Sequence, residues 1–145
     1  MRSVLFHLIG VTRQVAAERI SALAKPNGPE GWCLPRGSSA IVLYLGFDDD
    51  FLAEAQPADL EALTVSLGMM PTVTVMVDVS GRVPGDVEVR KFAAFMLSEF
   101  HGVAQDDYTC HCWTLSEIQS GATVEGHTFF DYDGWHHERH NRPVA

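Results

Sequence analysis

The pattern of apolar and polar positions along the chain predicts five strands. Residues 72–79 alternate strictly, with a valine at every second position from 73 onward and more polar residues between them. This period of two is typical of a strand that is buried on one face and half exposed on the other. Residues 40–45 are continuously apolar and indicate a strand buried on both faces. The predicted strands cover residues 3–9, 40–45, 72–79, 103–108 and 127–132, the last followed by a turn at Asp133 and Gly134.

Four helices are predicted from helical spacing of apolar residues and from their end signals. Thr12 is a suitable N-cap for the first helix. Pro57 opens the second helix, and Gly68 follows it at the position that favours a left-handed residue. Thr114 and Glu117 have the spacing of a capping box. The predicted helices cover residues 12–24, 57–67, 86–100 and 114–120, and residues 26–39 are predicted to form a long loop.

The order of these elements predicts one α+β domain over residues 1–145. The one-sided pattern of residues 72–79 favours helices that lie mainly on one face of the sheet. The closest simple architecture is a ferredoxin-like βαββαβ core with an extra helix between its second and third strands and a C-terminal extension. Strict alternation of strands and helices leaves an open α/β sheet as the alternative.

Composition is that of a folded globular protein. Of 145 residues, 46% are hydrophobic and 20% are charged, which separates the chain from disordered sequences. No apolar run reaches the ~18 residues of a membrane span, and the N-terminal run lacks the features of a secretory signal. The three cysteines are an odd number, which favours reduced thiols. We therefore expect a cytoplasmic location.

Charge narrows the range of partners. The formal net charge is −9, and residues 37–81 and 92–138 contain no Lys or Arg. Nucleic-acid binders neutralise phosphates with clustered Lys and Arg, so DNA and RNA are disfavoured as partners. A basic protein partner fits this charge better, and a homo-oligomer stays open. The residues predicted to contact a protein partner are Asp48, Asp49, Asp50, Asp106, Asp107, Tyr108 and Trp135.

An alternative function would use the cysteines and histidines of the C-terminal third. Cys110, Cys112 and His127 are the best candidate zinc ligands, but Cys110 and Cys112 are too closely spaced for the common structural zinc sites. Asp106 and Asp107 could serve acid and base roles, yet adjacent strand residues point to opposite faces. We therefore expect no metal and no cofactor, and a small metal-assisted hydrolase is the second hypothesis.

The first hypothesis is a non-catalytic, acidic protein-binding domain. In size, charge and compactness the chain is similar to bacterial immunity proteins, which neutralise toxic nucleases, and this resemblance is generic and rests on no matched residues. It implies a basic protein partner. A third hypothesis is an oligomeric accessory protein that uses the half-exposed sheet face around Thr72, Thr74 and Met76.

Overall fold

The computed structural model describes residues 2–36 and 40–140, which form an α+β fold around one antiparallel sheet. The predicted fold class is therefore confirmed. Among these residues, no helix has the length and apolar content needed to cross a membrane. In chain order the elements are β1 (Arg2–Leu8), α1 (Arg13–Ser21), β2 (Lys25–Pro26), β3 (Trp32–Arg36), β4 (Ala40–Phe47), α2 (Phe51–Glu54), α3 (Pro57–Leu67), β5 (Val73–Val79), α4 (Asp86–Leu97), β6 (Gly102–Asp106), α5 (Leu115–Ser120) and α6 (Tyr132–His140).

The six strands lie in the order β2-β3-β4-β5-β1-β6, and each neighbouring pair is antiparallel. This excludes the parallel α/β sheet considered as the alternative. The strand order also differs from that of a simple four-stranded ferredoxin-like sheet, because β2 and β3 extend the edge beyond β4. Two helices, α2 and α3, lie between β4 and β5, where one was predicted.

The main core lies on one face of the sheet, called here the first face. Register places Val4 opposite Val77 and Phe6 opposite Val75, so the alternate residues of β1 and β5 share this face. Phe92 of α4 meets Phe6 edge to face, with 5.2 Å between ring centroids. Residues of α1, α4 and α5 all pack into this core.

The opposite face, called the second face, is only partly covered. Leu63 and Leu67 of α3 form a smaller cluster there with Val103 and Cys112, so α3 lies on the face opposite the main core. Farther along β5 on this face, Met76 and Asp78 are half buried. The alternation of residues 72–79 therefore corresponds to a strand that is buried on one face and partly exposed on the other.

Two predictions about local structure are wrong. The first is the loop over residues 26–39, of which 37–39 lie outside the described residues. Residues 32–36 form β3, which pairs with β4, and the register shifts between Leu34 and Pro35. A proline lacks the N–H of a regular ladder and is tolerated at such an irregularity near a sheet edge, which is why its presence falsely indicated a loop.

The second is the strand over residues 127–132 with its turn at Asp133 and Gly134. Phe130 has a positive φ of 48°, which ends any extended run, and Asp133 and Gly134 lie within α6. Asp131 caps that helix through the Gly134 N–H at 3.0 Å, and a Cβ at Gly134 would lie 2.0 Å from the Asp131 carboxylate. The aromatic residues that suggested a strand instead fill the core, where Phe129 and Phe130 are buried.

Asp106 joins the end of β6 to the segment before α6. One carboxylate oxygen accepts the N–H groups of Tyr108 and Thr109 at 3.1 and 3.3 Å, and the other accepts the N–H of Phe130 at 2.9 Å. Desolvation raises the pKa of this carboxyl above its ordinary value, against the lowering effect of the three donors. Asp106 is therefore a structural connector between segments that are distant in sequence.

A buried chain of polar groups holds β5, β1 and β6 together on the second face. His7 is fully buried, with Nδ1 at 3.0 Å from Thr74 Oγ1 and Nε2 at 2.9 Å from Gln105 Oε1. Because the amide oxygen only accepts, Nε2 carries the proton and Nδ1 accepts from the threonine hydroxyl. Desolvation lowers the pKa of His7 to about 4, although the Gln105 bond opposes this, so the imidazole is neutral near pH 7.

Our first prediction is that His7 makes folding sensitive to mild acid. Since the unfolded imidazole binds a proton at about pH 6.5 and the folded one only near 4, this contribution is fully present above pH 6.5 and decreases below it. We expect the free energy of unfolding in urea to fall by about 2 kcal/mol more between pH 7.5 and pH 5 in the wild type than in His7→Gln. His101→Gln, at an exposed histidine, is the control and should keep the wild-type difference. Equal pH dependence in all three proteins would contradict the neutral buried state.

Our second prediction concerns Asp106. Replacing it by Ala leaves three N–H groups without their acceptor, including the buried N–H of Phe130, and should lower the free energy of unfolding by about 2–4 kcal/mol. Asp107→Ala is the matched control, because that neighbour is exposed and accepts a single bond, and it should cost less than about 1 kcal/mol. Both values come from urea unfolding at pH 7. A similar cost for both variants would rule out the connecting role.

Candidate functional site

A groove lies on the second face, between the end of β6 and the helices α2 and α3. Its volume is about 410 Å³. We call it the acidic groove, because the accessible carboxylates of Asp59 and Asp107 line it and no Lys or Arg does. The lining residues are Ser3, Leu5, Phe51, Asp59, Gln105, Asp106, Asp107, Tyr108, Thr109 and Cys110.

Strand alternation builds the floor of the acidic groove. Leu5 of β1 pairs with Gln105 of β6, so both side chains lie on the second face. Gln105 bonds His7 from its oxygen, and its amide nitrogen donates to the Cys110 carbonyl at 3.2 Å. The floor is therefore fixed by hydrogen bonds on both sides of Gln105.

The two accessible carboxylates come from different elements. Asp107 is exposed, follows β6 directly and accepts the Ser3 N–H at 2.6 Å. Asp59 is half buried and lies in the first turn of α3, where Pro57 starts the helix and the positive end of the helix dipole favours a carboxylate. The two groups thus reach the groove from different elements.

Several arginines of the chain are held by internal contacts. Arg2 donates to the carbonyls of Ser80, Val83 and Pro84, and its guanidinium lies 4.3 Å from the centre of the Tyr132 ring. Arg19 donates to the Phe95 carbonyl at 2.9 Å. Arg90 pairs with Asp86 at 3.2 Å, within α4. Arg19 and Arg90 therefore stabilise the fold away from the acidic groove, whereas Arg2 lies beside it, in a neighbouring groove that it lines together with Asp107 and Tyr108.

The predicted partner-binding residues fall at two ends of the sheet. Asp48, Asp49 and Asp50 follow β4, at the end where β5 begins. Asp106 is the last residue of β6 and Asp107 follows it, so the two groups leave the sheet at opposite strand ends. Asp49 also has a basic neighbour that sequence distance concealed, since Arg13 approaches its carboxylate at 3.2 Å.

Tyr108 and Trp135 are brought together, as their joint selection requires. Their rings stack with 5.7 Å between centroids and an interplanar angle of 13°. A second, smaller groove of about 240 Å³ lies beside them and shares Asp107 and Tyr108 with the acidic groove. Asp106 is different, because its buried carboxylate is committed to backbone N–H groups.

The alternative ligand set of Cys110, Cys112 and His127 is not brought together. His127 is bonded to Asp131 at 3.0 Å and to Glu138, and it stacks on Trp135 with 3.9 Å between centroids. Desolvation raises the pKa of Cys112 to about 11, so this thiol stays protonated near pH 7. Within residues 2–36 and 40–140, no group of three His, Cys, Asp or Glu side chains could hold a metal ion. The hydrolase hypothesis gains no support from these residues and stays a prediction.

Sequence reasoning missed several lining residues of the acidic groove, namely Ser3, Phe51, Asp59 and Gln105. They come from β1, α2, α3 and β6, which are separated by many residues and share no spacing that a motif would reveal. A partial signal existed for Asp59, because an acidic residue in the first turn after Pro57 marks a helix start. That signal indicates where the helix begins, but it does not indicate that Asp59 lines a groove.

No protein-family model, no curated protein and no solved structure matches this chain.

Proposed function

We propose that this chain is a non-catalytic protein-binding domain that captures a basic segment of a partner protein. The observation that carries the proposal is the acidic groove, which has Asp59 and Asp107 on its walls and no Lys or Arg in its lining. Its volume of about 410 Å³ falls within the range of pockets that hold a ligand. The inserted group would be a lysine or arginine side chain.

The walls of the groove suit such a side chain chemically. A guanidinium or ammonium group only donates hydrogen bonds, and the carboxylates of Asp59 and Asp107 only accept them. Phe51 and Tyr108 line the same groove and offer aromatic faces to a cation and to the aliphatic stem that carries it. The carboxylates and the aromatic residues of the groove thus both favour a partner that inserts a lysine or arginine side chain.

Long-range electrostatics supports the same assignment. A net charge of −9 attracts a basic protein before contact, and this attraction weakens as salt rises. Asp48 and Asp50 add to that field and are not among the residues that line the groove. Neutralisation of a basic toxin, in the manner of a bacterial immunity protein, is the biological role we propose for such a domain.

A ferredoxin-like core is the fold we propose beneath the added elements. Without β2 and β3, the remaining order is β4-β5-β1-β6. In a βαββαβ chain the third strand lies between the first and second, and the fourth lies beside the first. The positions of β5 and β6 support this reading, and β2 and β3 would then be an edge extension.

Our third prediction tests partner capture. The wild type is immobilised and compared with the double variant Asp59→Asn and Asp107→Asn in extracts of the source organism, with mass spectrometry of the retained proteins. We expect the wild type to retain basic proteins that are released by salt, and the double variant to retain them about tenfold less, because two charged hydrogen bonds are weakened. Asp107→Asn keeps an oxygen that can accept the Ser3 N–H, so the fold should survive.

The matched control is the double variant Glu18→Gln and Glu99→Gln, which changes the net charge equally at exposed positions outside the groove. It should retain partners nearly as well as the wild type. If both double variants lost retention of partner proteins equally, the effect would be explained by net charge alone and not by the acidic groove. Retention that is unaffected in the Asp59 and Asp107 variant would overturn the proposal.

A further inference from the structure

We infer that the captured segment is amphipathic, with an apolar side chain beside its lysine or arginine. This inference rests on the proposed function and adds to it the chemistry of the partner. It follows from a second groove on the same surface, between α3 and residues 110–112, with a volume of about 450 Å³. We call it the apolar groove, and its lining residues are Ala58, Glu61, Ala62, Val65, Ser66, Cys110, His111 and Cys112.

The two grooves are adjacent. Cys110 is exposed and contributes to the lining of both. On the other side, Ala58 lines the apolar groove and the next residue, Asp59, lines the acidic groove, so the first turn of α3 separates them by one residue. A short peptide segment can therefore place neighbouring side chains in both grooves at once.

The apolar groove presents hydrophobic surface to water. Val65 is 79% exposed although it lies on a helix that packs against the sheet through Leu63 and Leu67. Because the Val65 side chain remains exposed after folding, covering it with an apolar group of a partner would contribute favourable hydrophobic free energy to binding. The rim opposite Val65 is held in place, because His111 Nε2 lies 3.1 Å from a carboxylate oxygen of Glu117.

Charge complementarity identifies the occupant. Neither groove has a Lys or Arg in its lining, and Glu61 adds a carboxylate to the rim of the apolar groove. A second copy of this chain would bring another net charge of −9 and would be repelled. A purely apolar segment would leave Asp59 and Asp107 facing a partner that cannot bond them. A basic amphipathic segment satisfies both grooves.

Our fourth prediction tests this with synthetic peptides. One short peptide combines leucine and lysine on one helical face, and a second replaces each leucine by serine and keeps every lysine. Affinity is measured by fluorescence anisotropy, and occupancy by the rate at which Cys110 is alkylated, read by mass spectrometry. Cys33 in β3 is the internal reference, because β3 lies four strand spacings from β6, or about 19 Å. We expect the leucine–lysine peptide to bind more tightly and to slow alkylation of Cys110 but not of Cys33.

Variants separate the contributions of the grooves. Val65→Gln should weaken the leucine–lysine peptide about fivefold and leave the serine–lysine peptide unchanged, because it removes apolar contact only. Val87→Gln is the matched control, since Val87 is 51% exposed on α4 and Gln is tolerated in helices. Asp59→Asn with Asp107→Asn should weaken both peptides about tenfold.

Each outcome decides between the two claims. If the Asp variants weaken both peptides while Val65→Gln changes neither, the amphipathic partner is wrong and the acidic binding domain stands. If the Asp variants change neither peptide, both claims fail. A leucine–lysine peptide that binds without protecting Cys110 would place the binding elsewhere and would also overturn the inference.

Discussion

The antiparallel pairing of β1 with β5 and β6 is the constraint on which the other features depend. β1 is central in this part of the sheet, and its alternate residues serve two different faces. Val4 and Phe6 belong to the main core, whereas Leu5 and His7 support the second face. A register slip of one residue would turn Leu5 and His7 toward the main core in place of Val4 and Phe6. The core would accept the apolar Leu5, but it would leave the polar ring of His7 among apolar side chains. The buried bonds of His7 to Thr74 and Gln105 therefore specify the register as well as the packing.

That register also positions the acidic groove. Gln105 lies in the floor because it pairs with Leu5, and Asp107 reaches the wall because it follows the last paired residue of β6. Asp106, one residue earlier, points to the first face and connects β6 to Phe130. Two adjacent aspartates consequently have different surroundings, since one binds buried backbone N–H groups and the other is exposed and lines the acidic groove. Alternation along a strand is sufficient to explain this division.

Much of the local structure could be predicted from the sequence, because it depends on near neighbours. Thr12 caps α1, Gly68 ends α3 in the left-handed region, and Thr114 with Glu117 forms a complete capping box, all as predicted. β3 and α6 were missed because tertiary contacts decide them. Pro35 is accommodated at a register shift, and the segment before α6 is held by Asp106 from another strand.

The candidate site was less predictable for the same reason. Asp107 and Tyr108 were selected from sequence and both line the acidic groove, but Asp59 and Gln105 reach it only through the fold. The charges around Asp49 show the converse problem. A long stretch without Lys or Arg suggested unpaired carboxylates, yet Arg13 reaches Asp49 from α1. Sequence patterns thus report charge balance along the chain, whereas the availability of a carboxylate depends on what packs beside it.

The geometry of the acidic groove favours an organic cation over a metal ion. Calcium requires about six to eight oxygen ligands, and magnesium requires octahedral coordination, so either needs several carboxylates that converge. Asp59 and Asp107 line the acidic groove from separate elements. Both carboxylate oxygens of Asp106 already accept hydrogen bonds from backbone N–H groups. A guanidinium or ammonium group does not require converging ligands, because its donors can bond acceptors that come from different elements. The aliphatic part of the same side chain can pack against aromatic rings. The same arrangement that makes a poor metal site is therefore the reason why we propose a lysine or arginine side chain as the occupant of the groove.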